Sequence, residues 1–290
     1  MFKGEKGLVM TGLLGFLLAA VVGLFILVRG PVVLPEGNLG NAFSFNAAIG
    51  IFTLSIAAVL PLAGFSIKRR KAVRWLFMNA VLHAYAIETI QHFRGFNPRF
   101  SREGSVIDMI AGMIFGIQSL LIVTLCFILM FKFFKVSASP LILGVRYAFI
   151  SVFAANLAGV AMIVLQSRFL GNDGNFIVLH GMGFHALQTL VLSGWLLEKV
   201  HGRDRLKKRL IHSGSIAWIA SIILIGVQTV LGRTVFEFTL LPILAVSLIV
   251  IWLVTVWVAV TLFKKAEGDP QAKNTKVLEK PITDQTMIIK

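Results

Sequence analysis

Apolar residues in this chain fall in long, nearly unbroken runs. They do not alternate, as in a half-buried strand, nor recur every three or four positions, as on a surface helix. Eight runs can be marked: Leu8–Val28, Phe45–Ile67, Trp75–Phe93, Val106–Phe133, Pro140–Leu165, Phe176–Leu197, Ser213–Leu231 and Phe238–Phe263. Each is close to or above the ~20 residues that a helix needs to cross a bilayer. Each ends at a polar or Gly/Pro-containing break. Open sheets would leave edge groups unpaired in lipid, so the runs are read as helices. The expected fold is all-α: an integral membrane helical bundle of eight transmembrane helices, one domain over residues 1–263. Residues 264–290 are polar, carry Pro270 and Pro281, and are expected to form a mobile cytoplasmic tail. The first run follows a basic start, but it is longer than the ~7–15 residues of a signal core and lacks a small-x-small cleavage site, so it reads as a retained helix. No long internal repeat is evident by eye, and a diverged four-plus-four duplication stays open.

Composition agrees with the pattern. The chain is 57% apolar and 14% charged, where a soluble domain has about 45–50% and about 25%. That excludes a soluble globular enzyme. The net charge of +15 changes meaning once the runs are placed. Counted over alternate loops, 22 of the 28 Lys and Arg residues fall on the side of both termini. By the positive-inside rule that side is cytoplasmic, giving N-in and C-in. The charge is thus a topology signal, and nucleic acid is not expected. The Arg203–Arg209 loop could also meet anionic lipid. Cys126 stands alone in an apolar run and reads as a buried core thiol.

What remains is a small polar set where lipid should exclude it. The third run holds His83, Tyr85, Glu88, Gln91 and His92, followed by Arg94, Asn97, Arg99 and Arg102. Asp108 opens the fourth, and the sixth holds His180, His185 and Gln188. At about 100° per residue, Glu88 and His92 share one side of their helix with Tyr85, and His83 points nearly opposite to His92. His180 and His185 are about 140° apart with Gln188 between them, and Gly181 shares that stripe. By depth the histidines sort into two levels, His92 with His180 and His83 with His185. The expectation is a cavity in the outer half lined by the third, fourth and sixth helices and capped by the Arg94–Arg102 loop. His201 and His212, beside the cytoplasmic basic loop, are expected to be solvated.

Three functions fit this set. The first is a cofactor-binding, redox-active membrane protein. Haem b would be held by the histidines at either level, with Arg94 and Arg99 suited to an anionic group such as a propionate. Alternatively a divalent metal would be held by Glu88, His92, His180 and Asp108. The second is a proton-coupled transporter of an anionic solute, with Glu88 and the histidines as relay. The third is a non-catalytic scaffold in which the polar residues, including Tyr85, Gln91, Asn97 and Gln188, join helices. The expected partners are membrane lipid and a quinone or anionic small molecule. No nucleotide loop, Ser-x-x-Lys or His-Glu-x-x-His motif is present.

Eight helices with paired membrane histidines resemble haem A synthase in topology only. That family carries Glu-x-x-His-Arg and spreads its histidines over four helices, whereas Glu88-Thr-Ile-Gln-His92-Phe-Arg94 has a spacing of four here. The assignment is not adopted. Gln91-His-Phe-Arg94-Gly95 and His180-Gly-Met-Gly-Phe-His185-Ala-Leu-Gln188 resemble two motifs, Gln-x-x-Arg-Gly and His-x4-His-x-x-Gln, of a group of bacterial polytopic membrane proteins with no established activity. That resemblance implies a bacterial cytoplasmic membrane and adds no reaction.

Overall fold

A computed structural model of the chain describes residues 2–99, 101 and 103–268. It is a helical bundle: α1 (Lys6–Arg29), α2 (Leu39–Val59), α3 (Ile67–Phe93), α4 (Val106–Phe134), α5 (Pro140–Leu165), α6 (Phe176–Glu198), α7 (Asp204–Val230) and α8 (Leu240–Gly268). Seven of these helices are long and apolar enough to span a membrane. The remaining one, α3, has 27 residues but a far more polar sequence. The expected tail begins inside α8, which runs to Gly268. The rest of that tail lies outside the described residues.

Several helix ends differ from the apolar runs for local reasons. The second run begins at Phe45, but α2 starts six residues earlier, at Leu39, where Asn38 caps it by accepting the Gly40 N–H at 2.9 Å. The helix stops at Val59 because Pro61 cannot continue it, and a single 3-10 turn, Leu60–Leu62, follows. The basic stretches before α3 and α7 are not loops. They form the first turns of those helices.

Two short hairpins precede α2 and α6. β1 (Val32–Val33) pairs with β2 (Gly37–Asn38), and β3 (Phe169–Leu170) pairs with β4 (Gly174–Asn175), both antiparallel. The hairpins reveal the organisation of the chain. Val32 opposes Asn38, and Phe169 opposes Asn175, each 137 positions further on. The same offset carries through the loops. Leu39 N donates to Pro31 O, and Phe176 N to Arg168 O. Glu36 N donates to Gly95 O, and Asp173 N to Gly232 O. Phe96 N donates to Gln91 O, and Arg233 N to Gln228 O. It also relates Ile67–Phe93 of α3 to Asp204–Val230 of α7. The helices pack in matching pairs: α1 on α2 and α5 on α6, then α3 on α4 and α7 on α8. The molecule is therefore two four-helix units in tandem, the duplication that the sequence left open. With four helices each, both units run the same way, as in parallel repeats. Both hairpins lie at one end of the bundle, the hairpin end, opposite the basic end.

Lipid tails are as apolar as the side chains, so the helices are held by close fit and by polar bonds between them. Glycine supplies the fit where backbones touch. A Cβ on Gly12 would lie 3.0 Å from Gly50 O, and one on Gly144 would lie 2.5 Å from Leu190 O. One buried core takes residues from every helix, from Leu8 of α1 to Ala245 of α8, and includes Cys126. Across the units, Phe52 of α2 meets Phe184 of α6 edge-on at 4.9 Å.

The basic end is more structured than a solvated collar. Glu5 is fully buried and accepts from Arg70 Nε at 2.5 Å and Arg74 Nε at 2.6 Å, tying the start of α1 to α3. Arg146 donates to the Phe133 and Val136 carbonyls that close α4. His212 is not free in solvent as expected. It bonds the Tyr147 hydroxyl at 2.9 Å. His201 is exposed.

Two predictions follow from this packing. Gly37→Ala would put a methyl 2.5 Å from His92 O and 2.7 Å from Gly95 Cα, both immovable backbone. It should cost about 2–3 kcal/mol. Gly181→Ala meets nothing within 4 Å, and should be neutral or gain up to about 1 kcal/mol. Denaturation in detergent should separate the two, and equal effects would disprove the docking of the hairpin on α3. Glu5→Gln removes the partner of two arginines that are themselves a quarter exposed. We expect a loss of about 2 kcal/mol in the same measurement, below the cost of breaking a fully buried pair.

Candidate functional site

The loop that follows α3 is twelve residues long (94–105), against nine (231–239) in the second unit. Its extra length brings an arginine back over the bundle. Gly95 turns the chain with a φ of +88°, and the Asn97 side chain accepts the Arg99 N–H at 3.0 Å. The Arg99 guanidinium then lies 5.2 Å from the Phe45 ring centre on α2 and 5.9 Å from Phe115 on α4. It forms an ion pair with Glu88 on α3. Arg99 is thus where α2, α3 and α4 meet, with its side chain one-third exposed. Aromatic faces attract the cation, and the carboxylate supplies the counter-charge.

Glu88 is fully buried. Its Oε1 receives Arg99, and His92 Nε2 stands 3.3 Å from that same oxygen. Its Oε2 has no hydrogen-bond partner. His92 is fixed from both sides, because its Nδ1 accepts the Asn38 N–H at 3.1 Å. That leaves the ring proton on Nε2, aimed at Glu88. His92 therefore joins the hairpin to α3 and has no nitrogen left for a haem iron.

A second cluster lies beside this one. Asp108 Oδ1 accepts from Arg94 at 2.5 Å and from Gln91 Nε2 at 3.0 Å, and Gln91 Oε1 accepts from Arg94 at 2.9 Å. Oδ2 of Asp108 closes a capping box with Ser105. Asp108 is thus a helix-start and loop anchor. Glu36 in the first hairpin accepts from Ser101 Oγ at 2.5 Å, and the Asn97 N–H reaches it at 3.5 Å. Three carboxylates hold the loop, each through different partners. Arg102 lies outside the described residues.

The histidines outside this cluster have partners of their own or none. His180 Nδ1 bonds the Ala155 carbonyl at 2.8 Å, which leaves Nε2 as the lone-pair nitrogen. His185 is exposed and bonds Gln188, whose Nε2 donates to Ser55 Oγ at 2.6 Å. His83 Nδ1 is buried with no partner. No hydrogen bond or ring contact joins His92 to His180 or His83 to His185. α6 packs chiefly on α5, with fewer contacts to α7, α8 and α2. Among the described residues, no three His, Cys, Asp or Glu side chains converge to hold a metal. Of the expected metal set, Glu88 and Asp108 are each paired with an arginine of their own.

The sequence reading missed Glu36, Asn46 and Phe45. Asn46 is fully buried and donates to Thr89 Oγ1 at 2.9 Å. The available signal was the repeated Gly-Asn before α2 and α6, together with Gln-x3-Gly at Gln91 and Gln228. Aligned on these, the second unit has Ile225 for Glu88 and Thr229 for His92. The charged centre belongs to the first unit alone.

No protein-family model, no curated protein and no solved structure matches this chain.

His92→Ala would strand the Asn38 N–H and remove a donor from Glu88. The expected loss is about 1–3 kcal/mol, with faster hydrogen exchange at the amides of Gly37 and Asn38 and none at those of Gly174 and Asn175. Unchanged exchange in the first hairpin would contradict the bridging role.

Proposed function

We propose that the protein is a cofactor-binding membrane protein whose binding centre is the Arg99–Glu88 pair. In this reading α3 spans as well, making eight spans, with both termini cytoplasmic. The distribution of Lys and Arg supports that orientation, and α3 gains its polarity from basic turns at one end and the Glu88 cluster at the other.

The occupant that suits the centre best is a quinone headgroup. One observation carries this: buried Glu88 gives one oxygen to Arg99 and His92 and leaves the other without a donor. A quinol hydroxyl is a donor of the right kind for that oxygen, and a quinone carbonyl can accept from Arg99. The isoprenoid tail has an apolar path along the exposed Ile110, Ile114 and Ile117 of α4. A second reading is a haem on one axial imidazole. It draws on His180, whose Nδ1 bond to Ala155 leaves Nε2 for iron.

In lipid nanodiscs the purified protein should bind a short-chain quinone saturably. Glu88→Gln and Arg99→Ala should each weaken binding by about tenfold or more, the worth of a hydrogen bond to a charged group. His201→Ala, at the basic end, should leave it unchanged. A wild-type protein that binds no quinone sinks this reading, and a Soret band abolished by His180→Ala would install the haem in its place.

A further inference from the structure

We propose that the first four-helix unit holds a file of bound water running from Glu88 to Thr53. It rests on the same Glu88 Oε2 as the quinone reading, and its test is made without quinone, so that either can fail alone.

Among the described residues of this unit six buried polar atoms have no hydrogen-bond partner, and four of them are Glu88 Oε2, Asn46 Oδ1, Tyr85 Oη and Thr53 Oγ1. The residues of these four are at most 1% exposed. Buried polar groups without partners are rare, and water is the usual partner when protein supplies none. These four lie at successive depths. Measured from the hairpin end at 1.5 Å per residue, Glu88 lies about 7 Å in, Asn46 about 10 Å, Tyr85 about 12 Å and Thr53 about 21 Å. The helices that carry them touch: Asn46 bonds Thr89, the neighbour of Glu88, and the Tyr85 hydroxyl lies beside that of Thr53. Gly15 on α1 admits the Tyr85 hydroxyl, since a Cβ there would collide with it and come within 2.7 Å of Asn46 O.

The second unit is the built-in comparison. At the positions 137 residues later stand Ile225, Gly183, Ile222 and Leu190. All four polar groups have become apolar or absent together. A set that serves only helix packing would have no reason to change as a block. A set that shares one ligand would. Two acceptors, Glu88 Oε2 and Asn46 Oδ1, followed by two hydroxyls suit water, which both donates and accepts. Such a file is what a buried carboxylate needs to exchange protons without contact with lipid.

Hydroxyl-radical footprinting tests this, because radicals form at bound water inside a protein. Phe77 on the same helix is as buried as Tyr85 but lies among apolar side chains. In the full-length protein Tyr85 should be oxidised at least about tenfold faster than Phe77, since only Tyr85 has water beside it. Thr53→Leu, which installs the residue of the second unit, should lower Tyr85 oxidation several-fold, and Thr53→Val serves if the larger residue prevents folding. Equal, low oxidation of Tyr85 and Phe77 in the wild-type chain overturns the proposal. So does Tyr85 oxidation that stays the same in a folded Thr53 variant.

Discussion

One carboxylate oxygen holds the hairpin end of the first unit together. Oε1 of Glu88 is shared by Arg99, from the loop, and His92, which in turn receives the Asn38 N–H of the hairpin. Loop, helix and hairpin are thereby one network. In water such a network would be worth little, because solvent could replace each bond. Inside a bilayer there is no such replacement, so each polar group depends on the next. The neighbouring Asp108 network does the same for the start of α4.

The duplicated plan explains why this network can be so specialised. The backbone contacts that dock hairpin to helix are the same in both units, down to Gly37 against His92 O and Gly174 against Thr229 O. These contacts use backbone and glycine, so they fix the frame without fixing side chains. The second unit keeps the frame with Thr229 and Ile225 in place of His92 and Glu88. It keeps a counterpart of the Asp108 cluster, with Glu237 accepting from Gln228 Nε2 at 3.1 Å and pairing with Arg233 at 3.0 Å, and its Ser151 joins Gly183 O and Trp218 Nε1, linking three helices through one hydroxyl. The Glu88–Arg99 pair has no counterpart among the described residues of the second unit.

The fold was legible because long apolar runs have few interpretations in a chain this hydrophobic. Helix ends were less so. Asn38 looks like a loop residue until its cap is seen, and Lys68 to Arg74 look like a loop because charge hides their helical register. In the site, the side-sharing of Tyr85, Glu88 and His92 followed from helical geometry, and all three are buried together. The pairing of histidines across helices did not follow, because depth alone does not make neighbours. His92 and His180 share a level, yet each is fixed to its own surroundings, the hairpin and the Ala155 carbonyl. The duplication stays open in the sequence because so few identities carry it, chiefly Gly37/Gly174, Asn38/Asn175, Gln91/Gln228 and Gly95/Gly232.

The even number of helices in each unit has a geometric consequence. Units of four helices are related by an axis that runs along the bundle, so the pseudo-symmetry cannot exchange its two ends. Inverted repeats can do so, and that is how they open to alternate sides. Here the hairpins, Arg99 and the acidic anchors all stay at one end, and the Glu5 clamp and the basic helix starts stay at the other. The molecule has a built-in polarity, with Arg99 and its anchors presented on one face and the Glu5 clamp on the other.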